Sequence, residues 1–377
     1  MKEGLNMHRR LYAILIAAAI LGTGLITGCD SKIKAPDNTE GTVVTEQTTV
    51  PSAAQSTAQY EAEATEPAGT TEAKPDYYIT EEITSRNIAD NNVVGDPGTE
   101  KIYIYLPPDY YDSEEAYPVV YYLHGFGETP GNFLLSSKSR LNSLFSEGDK
   151  SFIMVEVAGS GFTGGSFYVN SPASGNWEDC LIDEVIPYVD AGYRTLAKAE
   201  SRGICGFSMG GFGAMNLALL HPDVFGAVYA MSPGIMKDDA LAEAMKTWTD
   251  DAAFQQAYAR AFAPDLEGSN FYGDIPVLDG SEADNAIAAK WYGGFGNWSQ
   301  KLDAYLSLET PLRAIGISYG TSDGYTWIPT GSAYFAGLLR EKGIDPIEYS
   351  FEGGHSMPEN TIKDHLGPFF LENLAWD

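Results

Sequence analysis

The sequence has few basic residues, few histidines and few cysteines. Lys and Arg together number 23 against 52 Asp and Glu, which gives a formal net charge of −29. Because phosphates and anionic lipid surfaces repel so acidic a chain, neither nucleic acid nor a charged membrane surface is an expected partner. The chain has three cysteines and five histidines, and no Cys/His group has the spacing of a metal site. We therefore expect neither a metal nor another cofactor.

The first 29 residues have the organisation of an export signal. Residues 8–10 are basic, residues 11–28 carry no charge, and Cys29 follows a run of small residues. This pattern resembles a bacterial lipoprotein signal, in which cleavage leaves Cys29 as a lipid-modified N-terminus. The uncharged stretch is short for a spanning helix, although an uncleaved membrane anchor is the alternative. We expect an exported protein, anchored to the cell membrane through lipid on Cys29 and facing outwards.

A polar segment separates this signal from the rest of the chain. Residues 30–75 are rich in Thr, Ala, Glu and Pro, and Tyr60 is their one aromatic residue. Such a composition cannot bury a core, so we expect a disordered linker. Residues 76–377 are long enough for one large domain. Within it we expect Cys205 to be a buried free thiol, and a disulfide between Cys180 and Cys205 is left open.

Strand-like and helix-like segments alternate through this domain. The expected strands are 101–106, 117–123, 151–157, 201–207, 227–232, 311–319 and 347–351, and the expected helices include 177–190, 210–221 and 331–341. Alternation of this kind predicts an α/β fold with a mostly parallel sheet that helices cover on both faces. Loops at the carboxyl ends of the strands then gather into one site.

Residues 237–310 interrupt the alternation, because they contain no clear strand. Helices are expected at 240–245 and 250–262, and a dense aromatic group follows at 291–298. We expect this segment to be an insertion that caps the active-site face. The acidic run at 279–285 is read as an exposed loop, with a calcium site as the alternative.

Ser208 lies in Gly-Phe-Ser-Met-Gly, between a predicted strand and a predicted helix. A serine on such a tight corner presents its hydroxyl, as in the nucleophile elbow of an α/β-hydrolase. Ser318 and Ser322 also lie in Gly-x-Ser-x-Gly sequences, but a helix follows neither of them directly. We therefore predict Ser208 as the nucleophile.

A serine hydroxyl needs a base, and the base needs a carboxylate that orients it. In this fold the chain order is nucleophile, acid, histidine. Of the histidines after Ser208, His355 follows the last predicted strand, whereas His221 ends the elbow helix and His365 lies in a terminal helix-like run. His355 is the predicted base.

The acid is expected in the loop after the strand that ends at residue 319. Asp323 lies there, with Asp345 and Glu348 as alternatives. The oxyanion of the tetrahedral intermediate needs two backbone donors. We predict the N–H groups of Met209 and Phe126 for this role, with the preceding His-Gly as the turn that aims Phe126.

Several segments then resemble one family. They are residues 117–125, 176–179, 184–190, 206–214 and 353–355. These residues are similar to those of the putative-esterase family of α/β-hydrolases, which includes feruloyl and acetyl xylan esterases of carbohydrate esterase family 1, S-formylglutathione hydrolases and mycolyltransferases. The resemblance implies the α/β-hydrolase fold and a serine esterase with the triad Ser208, Asp323 and His355.

Family and location together favour a substrate outside the cell. The exported tether disfavours a cytosolic glutathione ester and favours acetyl or feruloyl esters on plant cell-wall polysaccharide. A catalytically silent glycan-binding lipoprotein, or an acyltransferase or thioesterase of the same family, are the alternatives. Trp327, Trp291 and Trp298 are the predicted substrate contacts, because flat rings stack on sugars and on phenolic acyl groups.

Overall fold

The computed structural model describes residues 77–248, 251–268 and 270–377. The predicted signal with Cys29 and the predicted linker at 30–75 lie outside the described residues. None of the helices in the described ranges has both the length and the apolar character that a bilayer crossing requires.

Ten strands and eleven helices make up the described part of the chain. The strands are β1 Tyr78–Thr84, β2 Thr99–Tyr105, β3 Val119–Leu123, β4 Ile153–Val157, β5 Asn170–Ser171, β6 Gly175–Asn176, β7 Arg202–Phe207, β8 Ala227–Met231, β9 Ala314–Gly320 and β10 Ile347–Phe351. The helices are α1 Arg86–Ala89, α2 Asn132–Phe145, α3 Trp177–Asp179, α4 Ile186–Gly192, α5 Met209–Leu220, α6 Leu241–Lys246, α7 Ala252–Phe262, α8 Glu282–Gly294, α9 Trp298–Leu306, α10 Trp327–Glu341 and α11 Gly367–Asn373. Short 3₁₀ and π turns lie between them, and the π turn Cys180–Val185 joins α3 to α4.

Eight strands form one sheet in the order β1-β2-β4-β3-β7-β8-β9-β10. The β1–β2 and β2–β4 pairs are antiparallel, and the other pairs are parallel. Strands β3, β4, β7 and β8 are buried along their whole length, as expected of mostly apolar strands in a parallel sheet, and Glu156 of β4 and Arg202 of β7 are their two charged residues. The chain runs from β3 to β4 on one side and from β7 to β8 on the other. The carboxyl ends of β3 and β7 therefore meet at the point where a doubly wound sheet opens a crevice.

The sheet separates two hydrophobic cores. One contains Tyr121, Ile204 and Val228 on the sheet together with Phe212 of the elbow helix α5. The other contains alternate residues of the same strands, such as Tyr122 and Cys205, together with α2 and α11. This alternation confirms the predicted sheet with both faces covered.

The insertion at 237–310 is helical, as expected, but its described residues form four helices rather than the two predicted. Helices α6 and α7 match the predicted segments, whereas α8 and α9 were not predicted. The acidic run is not simply an exposed loop. Asp284 lies in the first turn of α8, is buried, and accepts hydrogen bonds from Val277 N at 2.6 Å and Asp279 N at 3.0 Å. No group of three or more potential metal ligands occurs in the residues that the structure describes.

The insertion packs directly on the elbow helix α5. Phe212 of α5 contacts the rings of Phe295 and Trp298, with centroid distances of 5.1 and 5.7 Å. Lys301 of α9 donates hydrogen bonds to Asn216 Oδ1 of α5 at 2.6 Å and to Gly294 O at 2.7 Å. Burial lowers the pKa of this lysine to about 8.

Candidate active site

Ser208 lies on the corner between β7 and α5. Its φ is 55° and its ψ is −113°, a conformation that non-glycine residues rarely adopt. Its N–H donates to Met231 O at 2.9 Å, and its carbonyl accepts from Phe212 N and Gly234 N, each at 3.0 Å. These backbone bonds hold the strained corner, and the side chain lies at the carboxyl edge of the sheet.

The two glycines of the motif allow this corner to form. A Cβ on Gly206 would lie 2.2 Å from Gly210 O, and a Cβ on Gly210 would lie 1.9 Å from Leu123 O. Any larger residue at either position would clash with backbone that has no freedom to move. The Gly-x-Ser-x-Gly pattern is therefore a steric requirement of the close approach between β3, β7 and α5.

The structure brings the three predicted triad residues together. His355 Nε2 lies 2.8 Å from Ser208 Oγ, and His355 Nδ1 lies 2.7 Å from Asp323 Oδ2. The Asp323 side chain has no exposed area, whereas that of His355 is 20% exposed. The imidazole thus has one nitrogen on a buried carboxylate and the other on the serine hydroxyl.

Backbone bonds join the loops that carry the acid and the base. Thr321 N donates to Phe351 O, and Ser322 N donates to Gly353 O, both at 2.9 Å. Within the first loop, Asp323 Oδ1 accepts from Tyr325 N at 2.8 Å. The bond from Tyr325 N holds Oδ1 of Asp323, so that Oδ2 of the same carboxylate faces the imidazole of His355.

The alternative residues have other partners. Glu348 accepts from the Tyr319 hydroxyl and from Arg340, both at 2.6 Å. Asp345 lies beside Arg340 with 95% of its side chain exposed. His221 Nε2 lies 2.9 Å from Glu178 Oε1, and His365 stacks on Tyr349. None of these four side chains contacts Ser208.

The two predicted oxyanion donors lie at the same cavity as Ser208. Among the described residues, no protein acceptor takes a hydrogen bond from the N–H of Phe126 or of Met209. Met209 N is the first amide of α5, where the positive end of the helix dipole lies. Two unpaired donors beside a serine hydroxyl are suited to bind a developing negative charge.

His124 is a structural residue of this edge. It is buried, its Nδ1 lies 2.8 Å from Gly125 O, and its Nε2 lies 2.9 Å from Gly159 N. Because Nε2 accepts the Gly159 N–H, Nδ1 carries the proton and donates to Gly125 O. Burial lowers the pKa of His124, which favours this neutral form.

Neither cysteine of the domain takes part in the site. Cys180 and Cys205 are both buried and free. Burial raises the pKa of Cys180 to about 12 and that of Cys205 well above its usual range, so both stay as thiols.

The catalytic cavity has a volume of about 290 Å³ and a mostly aromatic wall. Its side chains are those of Phe126, Glu128, Phe167, Phe207, Ser208, Met209, Asp251, Phe254, Tyr258, Tyr325, Trp327, Ile328 and His355. Trp327 thus lies where it was predicted. It is 1% exposed, however, and its Nε1 donates to Thr247 Oγ1 at 2.9 Å. Its ring can present only an edge or a small part of a face to a ligand.

Trp291 and Trp298 do not reach the cavity, contrary to expectation. Both are fully buried in the core that the insertion forms with α5. Trp291 stacks on Tyr258 at a centroid distance of 5.5 Å, and Trp298 packs on Phe335 at 5.2 Å. Four helices added to one edge of a sheet need a core of their own, and these rings supply it.

Several aromatic residues of the cavity wall were not predicted, and Phe254 and Tyr325 are two of them. Phe254 of α7 packs edge-to-face on Phe126 with a centroid distance of 4.6 Å. Tyr325 lies 5.0 Å from the His355 ring, centroid to centroid. Burial, with Asp251 and Asp323 nearby, raises the pKa of the Tyr325 hydroxyl, so it stays protonated and can donate a hydrogen bond. The signal for Phe254 was its place in a predicted helix of the capping insertion.

Comparison with known proteins extends this description. The family model described as Putative esterase matches residues 97–291. An esterase of Mycobacterium tuberculosis is 27% identical over 269 residues, which cover 67% of this chain and 51% of the relative. The chain therefore spans about half the length of that relative. An endo-1,4-beta-xylanase/feruloyl esterase of Xylanibacter ruminicola is 34% identical over 140 residues, covering 35% of this chain and 19% of the relative.

A solved structure shows the same architecture. A ferulic acid esterase superposes with a TM-score of 0.52 at 21% identity, covering 79% of this chain and 98% of the other. At this identity the likeness establishes the fold alone. Together with the sheet order and the strand–turn–helix corner at Ser208, it confirms the predicted α/β-hydrolase fold.

Proposed function

The chain belongs to the Putative esterase family, and we propose that it hydrolyses carboxylic esters with Ser208 as the nucleophile. His355 Nε2 takes the proton of the Ser208 hydroxyl as Oγ attacks the ester carbonyl. The tetrahedral oxyanion binds to the N–H groups of Phe126 and Met209. The intermediate collapses as His355 returns the proton to the leaving alcohol. Water then attacks the acyl-serine by the same steps and releases the acid.

One observation carries this proposal: the continuous hydrogen-bonded chain Asp323–His355–Ser208, with distances of 2.7 and 2.8 Å. The buried carboxylate accepts from Nδ1 and keeps Nε2 free of its proton and facing Oγ. A serine that merely ended a strand would need neither the strained backbone nor these partners. The unpaired amides beside it supply the second requirement of acyl transfer.

The proposed substrates are acetyl or hydroxycinnamoyl esters of plant cell-wall polysaccharide. The aromatic wall around Ser208 supports an acyl group with a flat apolar face, such as a feruloyl group. A relative named as an endo-1,4-beta-xylanase/feruloyl esterase and a solved structure named as a ferulic acid esterase support the same class.

The proposed location is the outer side of the cell membrane, with lipid on Cys29. The sequence of the first 29 residues supports it, and a polymeric substrate requires an exported enzyme. In the native host, wild-type protein should sediment with membranes, and Cys29→Ser should change its processing. A freely soluble mature protein whose N-terminus lies well beyond Cys29 would remove the anchor.

The direct test is Ser208→Ala, assayed on acetyl, feruloyl and longer acyl esters. We expect turnover to fall by about three orders of magnitude or more, and a fluorophosphonate probe should label only proteins that retain Ser208. Ser322→Ala is the matched control, since Ser322 lies in the same sequence pattern on an exposed loop. Near-normal turnover by Ser208→Ala would refute the proposed nucleophile, and activity on no carbohydrate ester would refute the substrate class.

A further inference from the structure

The loop after β3 contains four successive backbone N–H groups at the edge of the cavity. Gly125 N donates to Glu128 Oε2 at 2.9 Å, Gly127 N donates to Gly164 O at 3.0 Å, and Glu128 N donates to Gly125 O at 3.3 Å. Phe126 N is the one of the four without a protein acceptor in the described residues. The loop thus leaves the Phe126 N–H available to a ligand, whereas the three neighbouring N–H groups are hydrogen-bonded within the protein.

Glu128 engages both backbone polar atoms of Gly125. Its carboxylate accepts the Gly125 N–H, and its own N–H donates to the Gly125 carbonyl. The carboxylate also packs on the glycine, because a Cβ there would lie 3.2 Å from Glu128 Cδ. In the described part of the chain, Glu128 forms no ion pair with a basic side chain. Its contacts therefore point to the loop backbone.

The Gly125 carbonyl and the Phe126 N–H belong to one peptide plane and point in opposite directions. The carbonyl is held on one side by His124 Nδ1 at 2.8 Å and by Glu128 N at 3.3 Å. Fixing the carbonyl therefore fixes the direction of the Phe126 N–H. Since glycine rotates freely about its backbone bonds, this plane needs external restraint to keep one orientation.

A second carboxylate holds the far end of the same loop. Glu156 of β4 is buried and accepts from Gly131 N at 2.8 Å and from Leu134 N at 2.9 Å. These are the N-cap amide and a first-turn amide of α2. Glu156 thus holds the end of the loop, and Glu128 holds it at Gly125, near its start.

We propose that Glu128 is a positioning residue for ester hydrolysis: its carboxylate holds the Gly125 N–H and its own N–H holds the Gly125 carbonyl, so that both peptides at Gly125 are fixed and the Phe126 N–H faces the carbonyl oxygen of the substrate. This inference rests on the proposed function, in which that N–H binds the oxyanion. The role depends on reach and on an acceptor oxygen rather than on charge, because the partner is a backbone N–H.

Two substitutions separate these properties. Glu128→Gln keeps the length and an acceptor oxygen but removes the charge, whereas Glu128→Asp keeps the charge but is one methylene shorter. With 4-nitrophenyl acetate, we expect Glu128→Asp to lower kcat by about 10- to 100-fold with little change in KM, since loss of one oxyanion donor costs about 10²–10³. Glu128→Gln should stay within about threefold of wild type in kcat.

A second readout reports on the oxyanion site itself. Phenylboronic acid adds to the serine oxygen and places a boronate oxygen where the oxyanion forms. In Glu128→Asp its inhibition constant should therefore rise in parallel with the loss of kcat. In Glu128→Gln the inhibition constant should stay near the wild-type value. Circular dichroism and urea unfolding of each full-length variant show that the protein is folded. A merely structural effect would lower the folded fraction without weakening boronate binding per folded molecule.

The inference is overturned if Glu128→Asp is folded and keeps kcat and boronate affinity within about threefold of wild type. It is equally overturned if Glu128→Gln loses as much kcat as Glu128→Asp, or more. The charge of Glu128 would then matter more than its hydrogen bond from Gly125 N. Failure of the proposed function gives a different result. If the proposed function is wrong, Ser208→Ala retains activity. If only the role of Glu128 is wrong, activity still depends on Ser208, and only the Glu128 variants depart from the expected results.

Discussion

His355 Nε2 lies 2.8 Å from Ser208 Oγ, although 147 residues separate the two in sequence. Ser208 follows β7 in the middle of the sheet, and His355 follows β10 at its edge. Their contact requires β8, β9 and β10 to be added to β7 in the observed register. The position of His355 relative to Ser208 therefore depends on the pairing of all these strands. The backbone hydrogen bonds between residues 321–322 and 351–353 then hold the two loops that carry Asp323 and His355 together.

Asp323→Asn should impair the orientation of the His355 imidazole without affecting the folding of the protein. The amide can keep the bond from Tyr325 N but favours the tautomer of His355 that places the proton on Nε2, which cannot then accept from Ser208. We expect kcat to fall by about 10³–10⁴ with an unchanged unfolding curve. Asp345→Asn, at a fully solvated alternative carboxylate, is the matched control. A loss below about tenfold in Asp323→Asn would contradict the proposed triad.

The stability of the protein should depend on pH through Glu156. Burial raises the pKa of Glu156 to about 7 in the folded protein, from an ordinary value of 4.5, despite the hydrogen bonds from Leu134 and Gly131. The folded state thus binds this proton more tightly, so the stabilisation is greatest below pH 4.5 and is lost as pH rises to about 7.

Urea unfolding at pH 4.5 and pH 8 measures this effect. The free energy of unfolding of wild type relative to Glu156→Gln should fall by about 1–3 kcal/mol across the range. Exposed Glu359→Gln should show no such change relative to wild type. Parallel pH dependences of wild type and Glu156→Gln would show that the Glu156 carboxyl ionises without cost in the fold.

The catalytic cavity should prefer neutral esters. Glu128 and Asp251 line it, and its described lining contains no lysine or arginine. A carboxylate on the acyl group would meet like charge, which costs about 1 kcal/mol per charge near solvent, or roughly a factor of five. Wild type should therefore favour 4-nitrophenyl butyrate over mono-4-nitrophenyl succinate, and added salt should reduce the preference.

Asp251→Asn should lower this preference by about three- to tenfold. The asparagine oxygen can still accept from Phe254 N, as Asp251 does at 2.9 Å, so the cap of α7 is kept. Asp345→Asn removes one charge at a side chain that is 95% exposed and remote from the cavity lining. An equal effect of both substitutions would assign the preference to net charge rather than to the cavity.

Two aromatic residues of the insertion should behave differently. Phe254→Ala removes part of the cavity wall and should lower kcat/KM on a feruloyl ester about tenfold more than on an acetyl ester. Trp298→Ala removes a fully buried ring and should cost about 3–5 kcal/mol of stability while leaving the ratio of the two esters unchanged. Equal losses on both esters in Phe254→Ala would place that ring in the core rather than at the substrate.

The corner at Ser208, the meeting of Ser208 with Asp323 and His355, and the positions of most main strands along the chain could be predicted because they depend on local constraints. Gly206 and Gly210 are required by contacts that exclude any Cβ, and such a requirement leaves a fixed sequence pattern. Asp323 follows the largely buried strand β9, and His355 follows β10, in which apolar and polar residues alternate. Chain order then restricts the possible pairs to very few.

The cavity wall could not be predicted in the same way. Trp291, Trp298 and Phe254 all lie in one aromatic insertion, and their spacing does not show which rings face the sheet and which face the cavity. Burial of Trp298 depends on α5 and α10, which are distant in sequence. Helix α9 could have been predicted, because its buried residues Trp298, Leu302 and Tyr305 recur at helical spacing. Grouping Trp298 with the aromatic residues at 291–298 obscured this pattern.

The bond from Lys301 to Asn216 Oδ1, together with the ring contacts of Phe212, joins an insertion helix to the nucleophile helix. We expect the two helices to unfold together. Amide protons of α9 and α5 should therefore exchange with solvent at similar, slow rates. The amide proton of Asp251, which precedes α7 and lines the cavity, should exchange earlier. Removal of the insertion would expose apolar side chains of α5 that now share a core with it, and we expect this to destabilise the domain rather than simply widen the cavity.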